Sequence, residues 1–282
     1  MNPMHIIADS SNTRTHWVIV DGNRIVETAY TIGLNPFFLS RREISHNIRL
    51  ELPDIFFRRK YEHVYFYGAG CNSVEKQKIV HQSLTAHFRT KVSVNSDLLG
   101  AARGLLVREP GLACILGTGS NSCYYNGSDI EKNVPPLGYI LGDEGSGCSL
   151  GKWLIADVIR GIAPRNLVNA FFEKFSVTTV KLMDEIYSSK LPARTLASFA
   201  SFLADNIEEE YCRDLVYRSF RLFFERNLIF YDYKNLPVSF VGSTATIFKE
   251  ILLKSATDFG LSIRKIEPSS MPGLITYHSI NS

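Results

Sequence analysis

The most constraining stretch of this chain runs from Leu112 to Gly127. An apolar run, Leu112 to Leu116, reads as a buried strand. It breaks into Gly117-Thr118-Gly119-Ser120-Asn121 and resumes as Cys123-Tyr124-Tyr125. Asn126-Gly127 follows, the strongest short-range hairpin signal in a sequence. The reading is strand, small polar turn, strand, tight turn. Glycines let the backbone approach a ligand, and consecutive amides in such a turn point inward as an anion nest. The same pattern also fits an ordinary β-turn.

A second version of this unit opens the chain. His5 to Asp9 reads as a buried strand, Ser10-Ser11-Asn12-Thr13 as a polar turn and Thr15 to Val20 as a strand. Asp21-Gly22 is a hairpin turn into a third strand, Arg24 to Ala29. Two such units, one starting near His5 and the other near Leu112, are too far apart for a solenoid and indicate a duplicated domain. Glu109-Pro110-Gly111 is the break between them. The expected domains are 1–111 and 112–270, with a terminal helix at 271–282 packing back on the first. A helical insertion is expected at about 152–233, where apolar residues recur with helical spacing.

Between these landmarks, Pro36 is expected to open a helix running to about Phe57. Tyr61 to Gly68 and Lys91 to Val94 read as strands, and Ser73 caps a helix to about Phe88. Leu98 to Val107 and Gly151 to Arg160 read as helices. Val238 to Val241 is a strand stopping at Gly242-Ser243-Thr244-Ala245. A helix from Thr246 to Phe259 and a strand near 262–266 follow.

Composition narrows the function. A net charge of +3 over 282 residues is too small to imply nucleic acid. The two basic clusters, Arg41-Arg42 and Arg58-Arg59-Lys60, suit solvated faces. Five cysteines with no C-x-x-C pair point to reduced thiols in a cytoplasmic protein. No apolar run approaches the roughly 18 residues of a membrane span, and no signal peptide is evident at the start. The seven histidines lack metal-ligand spacing.

Three small polar turns follow apolar strands, at 10–13, 117–121 and 242–245. Turns at the carboxyl ends of strands are where α/β proteins bind ligands. Two together suit the phosphates of a nucleotide, and the third suits its base. No G-x-x-x-x-G-K-[ST] and no helix-opening G-x-G-x-x-G is present. Two carboxylates also sit at strand ends. Phosphoryl transfer needs a magnesium site near the phosphates and a base for the attacking hydroxyl. Asp9 is placed for the first, directly or through water, and Asp97 for the second. Asp9 equally suits an Asx-turn, and Asp97 a helix N-cap. Asp143-Glu144 suits either a polyol substrate or a helix start.

Gly117-Thr118-Gly119-Ser120-Asn121, followed by Leu137-Gly138-x-x-Leu141-Gly142-Asp143-Glu144-Gly145-Ser146-Gly147, resembles the N-acetylglucosamine kinase family. That family is grouped with the BadF/BadG/BcrA/BcrD-type ATPases in the actin-like ATPase, sugar kinase and Hsp70 superfamily. The resemblance runs over essentially the whole chain. It implies an α/β fold of two ribonuclease-H-like domains, with a nucleotide cleft between them and the helical insertion in the second. It implies ATP and Mg2+, an amino sugar acceptor and a homodimer. Carried across, Asp9, Asn12 and Thr13 belong to the first phosphate hairpin, and Gly117, Thr118, Gly119 and Ser120 to the second. Gly242, Ser243 and Ala245 match the adenosine-side turn. Asp97 matches the base, and Asn35, Leu137, Gly138 and Asp143 match the sugar site. The family's first turn is usually glycine-rich; here it is Asp9-Ser10-Ser11-Asn12-Thr13, in which Asn12 tolerates a left-handed φ. The leading expectation is an ATP-dependent kinase of an N-acetylglucosamine-like sugar. The alternatives are an ATPase that activates a partner enzyme and a non-catalytic sugar or nucleotide sensor.

Overall fold

A computed structural model describes residues 4–280. Its described residues form two five-stranded sheets with helices packed against them. The chain divides into two compact units. The first comprises the chain up to Pro110, Tyr125–Glu131 and the terminal stretch from Ser269; the second comprises Gly111–Tyr124 and Lys132–Pro268.

In the first unit, β1 (Met4–Ser10), β2 (Arg14–Asp21) and β3 (Arg24–Ile32) form an antiparallel meander. β4 (His63–Gly68) pairs parallel to β1, and β5 (Lys91–Ser96) parallel to β4. The order is β3-β2-β1-β4-β5. Side chains alternate across the central strand, as a two-residue period requires. Ile6 and Ala8 join Trp17, Ile19 and Phe66 in one core, which the helices Arg41–Glu51 and Val74–Phe88 cover through Ile44, Ile48, Val80 and Leu84. Ile7 joins Val18, Val20 and Tyr67 on the other face, covered by Met271, Leu274 and Ile275 of the terminal helix Met271–Ser279.

The second unit repeats the plan. β6 (Gly111–Leu116), β7 (Ser120–Tyr125) and β8 (Ile130–Asn133) are followed, after the helical insertion, by β9 (Val238–Val241) and β10 (Ile263–Glu267). Their order, β10-β9-β6-β7-β8, is that of the first sheet read from the other end. The duplication read from the two hairpins is therefore a duplication of topology. The insertion buries an aromatic core: Phe171 lies 5.3 Å from Phe202 and 5.8 Å from Phe199. Phe223 and Phe224 pack on Phe240 of β9.

Three helix starts differ from the sequence reading. The helix expected at Pro36 begins at Arg41, because Ser40 and Glu43 form a capping box there. Residues 36–39 instead fold back as a turn, with the amides of Phe38 and Leu39 on the Asn35 carbonyl. The helix expected at Gly151 starts at Gly147, capped by Ser146. The helix expected from Thr246 is two, Ser243–Ile247 and Lys249–Phe259. Among the described residues, no helix is long and apolar enough to cross a membrane.

The terminal helix meets the helix Asp97–Leu106 at backbone contact. A Cβ on Gly273 would lie 1.7 Å from the Gly104 carbonyl oxygen. Gly273→Ala should therefore lower the unfolding free energy by about 1–3 kcal/mol, the usual cost of overpacking. Urea denaturation reads it, and an unchanged midpoint would contradict this packing.

Candidate active site

In the first unit, the parallel pairing brings the carboxyl ends of β1, β4 and β5 to one edge. Ser10 pairs with Gly68, and Gly68 with Ser96. Asp9 and Asp97 both sit at this edge, so the structure brings the two predicted carboxylates together. Asp97 is not the helix cap. Ser96 takes that role, its hydroxyl accepting the Leu99 N–H at 3.2 Å. Asp97 occupies the first helical position, and its Oδ1 accepts the Leu98 N–H at 2.9 Å. Burial, then the charge of Asp9, pushes the Asp97 carboxyl up to about 6, while the N–H groups of Leu98 and Asp97 oppose the rise. Asp9 is also raised by burial, opposed by the hydroxyl of Ser270, which donates to its Oδ2.

The serines of the first turn carry out what glycine would otherwise permit. Ser10 Oγ lies 2.7 Å from Thr15 Oγ1 and accepts the Leu34 N–H at 3.0 Å. Ser11 Oγ accepts the N–H groups of Thr13 and Arg14, both at 3.2 Å. None of residues 10–13 has a positive φ, so the left-handed tolerance of Asn12 is not used. Asn12 Oδ1 instead accepts the Asn35 side-chain N–H at 2.6 Å. Asn35 Oδ1 accepts the Phe37 N–H at 2.8 Å, and a Cβ on Gly70 would lie 2.1 Å from that oxygen. Asn12 and Asn35 thus form one polar pair beside the end of β1, and Thr13 is held by Ser11.

In the second unit, three predicted segments converge on the turn after β6. The Gly117 carbonyl accepts the Gly147 N–H and the Thr244 hydroxyl, each at 2.8 Å. The Thr118 carbonyl accepts the Cys148 N–H at 3.0 Å. Gly242 has φ +125°, and a Cβ there would lie 2.4 Å from the Leu116 carbonyl oxygen. Ala245 is fully buried behind this turn. With its carbonyls tied down this way, Gly117 turns its Cα toward open space.

Asp143 sits on this turn. Its Oδ1 accepts the Ser120 N–H at 3.1 Å, and its carboxylate would lie 3.1 Å from a Cβ on Gly119. It adopts φ +61°, an uncommon conformation outside glycine. Burial raises its carboxyl, opposed by the Ser120 N–H. Gly138 has φ +72° and faces open space, and Leu137 before it is exposed. Thr244 and Ser270 were not among the predicted site residues. Thr244 lies inside a turn already singled out, whereas no local pattern marks Ser270. Among the described residues, no group of three or more His, Cys, Asp or Glu side chains is placed to hold a metal ion.

A scan of family models finds no match, and neither does a search of curated proteins. Solved structures do match. A protein from Porphyromonas gingivalis, provisionally named an N-acetylglucosamine kinase, is 38% identical with a TM-score of 0.95, covering 99% of each chain. A second protein with that provisional name, from Chromobacterium violaceum, is 15% identical with a TM-score of 0.76, covering 98% of this chain and 99% of its own. A ROK family glucokinase from Streptomyces griseus, in complex with glucose and AMPPNP, is 12% identical with a TM-score of 0.58 over 98% of each chain. The last two similarities show the fold alone: the two-domain α/β fold of the actin-like ATPases.

A carboxylate whose pKa is raised in the folded state opposes folding once it ionises. The cost of Asp97 is absent below its unfolded pKa near 4 and is complete above about 6. Asp97→Asn should therefore stabilise the protein at pH 7.5 by about 1–3 kcal/mol, and the gain should shrink at pH 4.5. Thermal unfolding at the two pH values checks this; equal or reduced stability at pH 7.5 would contradict the buried pair.

Proposed function

Because this chain belongs to the N-acetylglucosamine kinase-like family of the actin-like ATPase superfamily, we propose that it transfers the γ-phosphoryl group of ATP to a hydroxyl of an amino sugar, N-acetylglucosamine or a near relative. The observation that carries the assignment of roles is the pairing of Asp97 with Asp9 at the carboxyl edge of the first sheet. A carboxyl near 6 is ionised at neutral pH yet basic enough to take a proton as the hydroxyl attacks.

Asp97 Oδ1 is held by the Leu98 N–H, which leaves Oδ2 to accept the sugar hydroxyl proton. The sugar oxygen bonds to the γ-phosphorus as the bond to the bridging oxygen breaks, and ADP departs. Asp9, Asn12 and Thr13 serve the phosphates from the first unit. From the second, the amides of Thr118 and Gly119 and the Thr118 hydroxyl do the same, as preorganised donors for phosphate charge, while the Gly117 amide closes the turn on the Gly119 carbonyl at 3.0 Å. Gly242 and Ser243 line the adenosine side, with Ala245 buried behind them. Asn35, Leu137, Gly138 and Asp143 contact the sugar. Mg2+ prefers oxygen donors and keeps several waters, which fits a site offering Asp9 and phosphates rather than a full protein cage; when bound it neutralises phosphate charge. All five cysteines are buried and free, in keeping with a cytoplasmic enzyme.

Asp97→Asn should reduce kcat by about 100-fold or more while calorimetry finds ATP affinity nearly unchanged. Near-normal turnover would remove Asp97 from the role of base. In the wild-type enzyme, kcat/KM should fall about tenfold per pH unit below about 6. An acid limb near 4, the ordinary carboxylate value, would contradict the role given to the pair.

A further inference from the structure

Ser270 stands at the start of the terminal helix, 261 residues from Asp9, and is buried. It makes two contacts that belong to the site. Its hydroxyl donates to Asp9 Oδ2. Its backbone and Cβ pack directly on the helix that begins with Asp97: a Cβ on Gly104 would lie 2.5 Å from the Ser270 carbonyl oxygen and 2.6 Å from the Ser270 Cβ. Contact continues along the next residues of the helix, since Gly273 reaches the Gly104 carbonyl and Met271, Leu274 and Ile275 fill the adjoining core. One residue therefore touches both the strand end that carries Asp9 and the helix that carries Asp97. The two carboxylates repel, and neither bonds directly to a cationic side chain in its hydrogen-bonding contacts. Their spacing has to come from what packs around them.

We infer that Ser270 is a positioning residue: it fixes the rotamer of the Asp9 carboxylate relative to Asp97, using the terminal helix as its anchor. This rests on the roles given to Asp9 and Asp97 above. Without the hydroxyl, Asp9 is free to rotate about its χ torsions, and geometry at the phosphoryl centre degrades, where a misplacement of about 1 Å costs up to about 100-fold. A residue that only glued the terminal helix in place would affect stability and leave turnover of the folded enzyme alone.

A double-mutant cycle on the full chain decides between them, with kcat and the KM for N-acetylglucosamine measured well below the melting temperature. Ser270→Ala should lower kcat by about 10- to 100-fold with the sugar KM nearly unchanged. In an Asp9→Asn background, Ser270→Ala should cause no further loss. Ser270→Cys keeps the size but weakens the donor, so it should fold and lose turnover to an intermediate degree. The inference is overturned if Ser270→Ala only lowers the melting temperature, if Ser270→Cys turns over like wild type, or if the loss persists in full in the Asp9→Asn background. If Asp9→Asn alone leaves turnover intact, the role of Asp9 fails, and that result is distinct from a failure of Ser270.

Discussion

Two like-charged carboxylates share one edge of a sheet, and much of the first unit is arranged to hold them there. Asp9 comes from the central strand and Asp97 from the helix that follows β5, and the parallel register of β1, β4 and β5 sets Asp9 level with Asn95, two residues before Asp97. Burial raises both carboxyls, and the charge of Asp9 adds to the rise at Asp97. The compensations are small and specific: the amides of the first helical turn on Asp97 and one hydroxyl on Asp9. A protein tolerates such a pair where a poised base is needed, because the same burial that costs stability, with the neighbouring charge added, sets the pKa near working pH.

In the second unit the role proposed is a different one, the binding of phosphate by backbone. Its turn after β6 has carbonyls tied back to Gly147, Cys148 and Thr244. That leaves the glycine-rich side of the turn open. Asp143 stabilises the turn from the flank through the Ser120 amide. This places a residue expected in the sugar site in direct contact with the turn proposed for phosphate in the same unit, so a change at Asp143 should be read for effects on both substrates.

The architecture is legible in the sequence wherever a local rule has only one solution. Asp21-Gly22 and Asn126-Gly127 mark hairpins because Gly22 and Gly127 take positive φ. Two copies of the same strand-and-turn pattern give two sheets of one topology. Legibility fails where local rules compete or where tertiary contact overrides them. Pro36 and Ser40 both announce a helix start, and the capping box wins because Asn35 ties residues 36–39 into a turn. Gly147 and Gly151 lower helix propensity, yet both lie within a helix. Gly151 is there because the Leu196 carbonyl oxygen would stand 1.8 Å from any Cβ. In the site, Asp9, Asp97 and the glycine turn are readable from their strand ends. The serine turn is not, because glycine's role there passes to side-chain hydroxyls rather than to backbone freedom. Ser270 leaves no local trace, since its partner is 261 residues away.

The central claim is that these turns and carboxylates serve transfer to a sugar rather than hydrolysis or sensing. The most direct test counts products when the purified protein meets Mg-ATP with and without N-acetylglucosamine, with phosphorus NMR identifying each species. The account predicts one sugar phosphate for every ADP and little ADP when the sugar is left out. ADP and free phosphate released at the same rate without any sugar, or no turnover with any amino sugar despite measurable sugar binding, would contradict it.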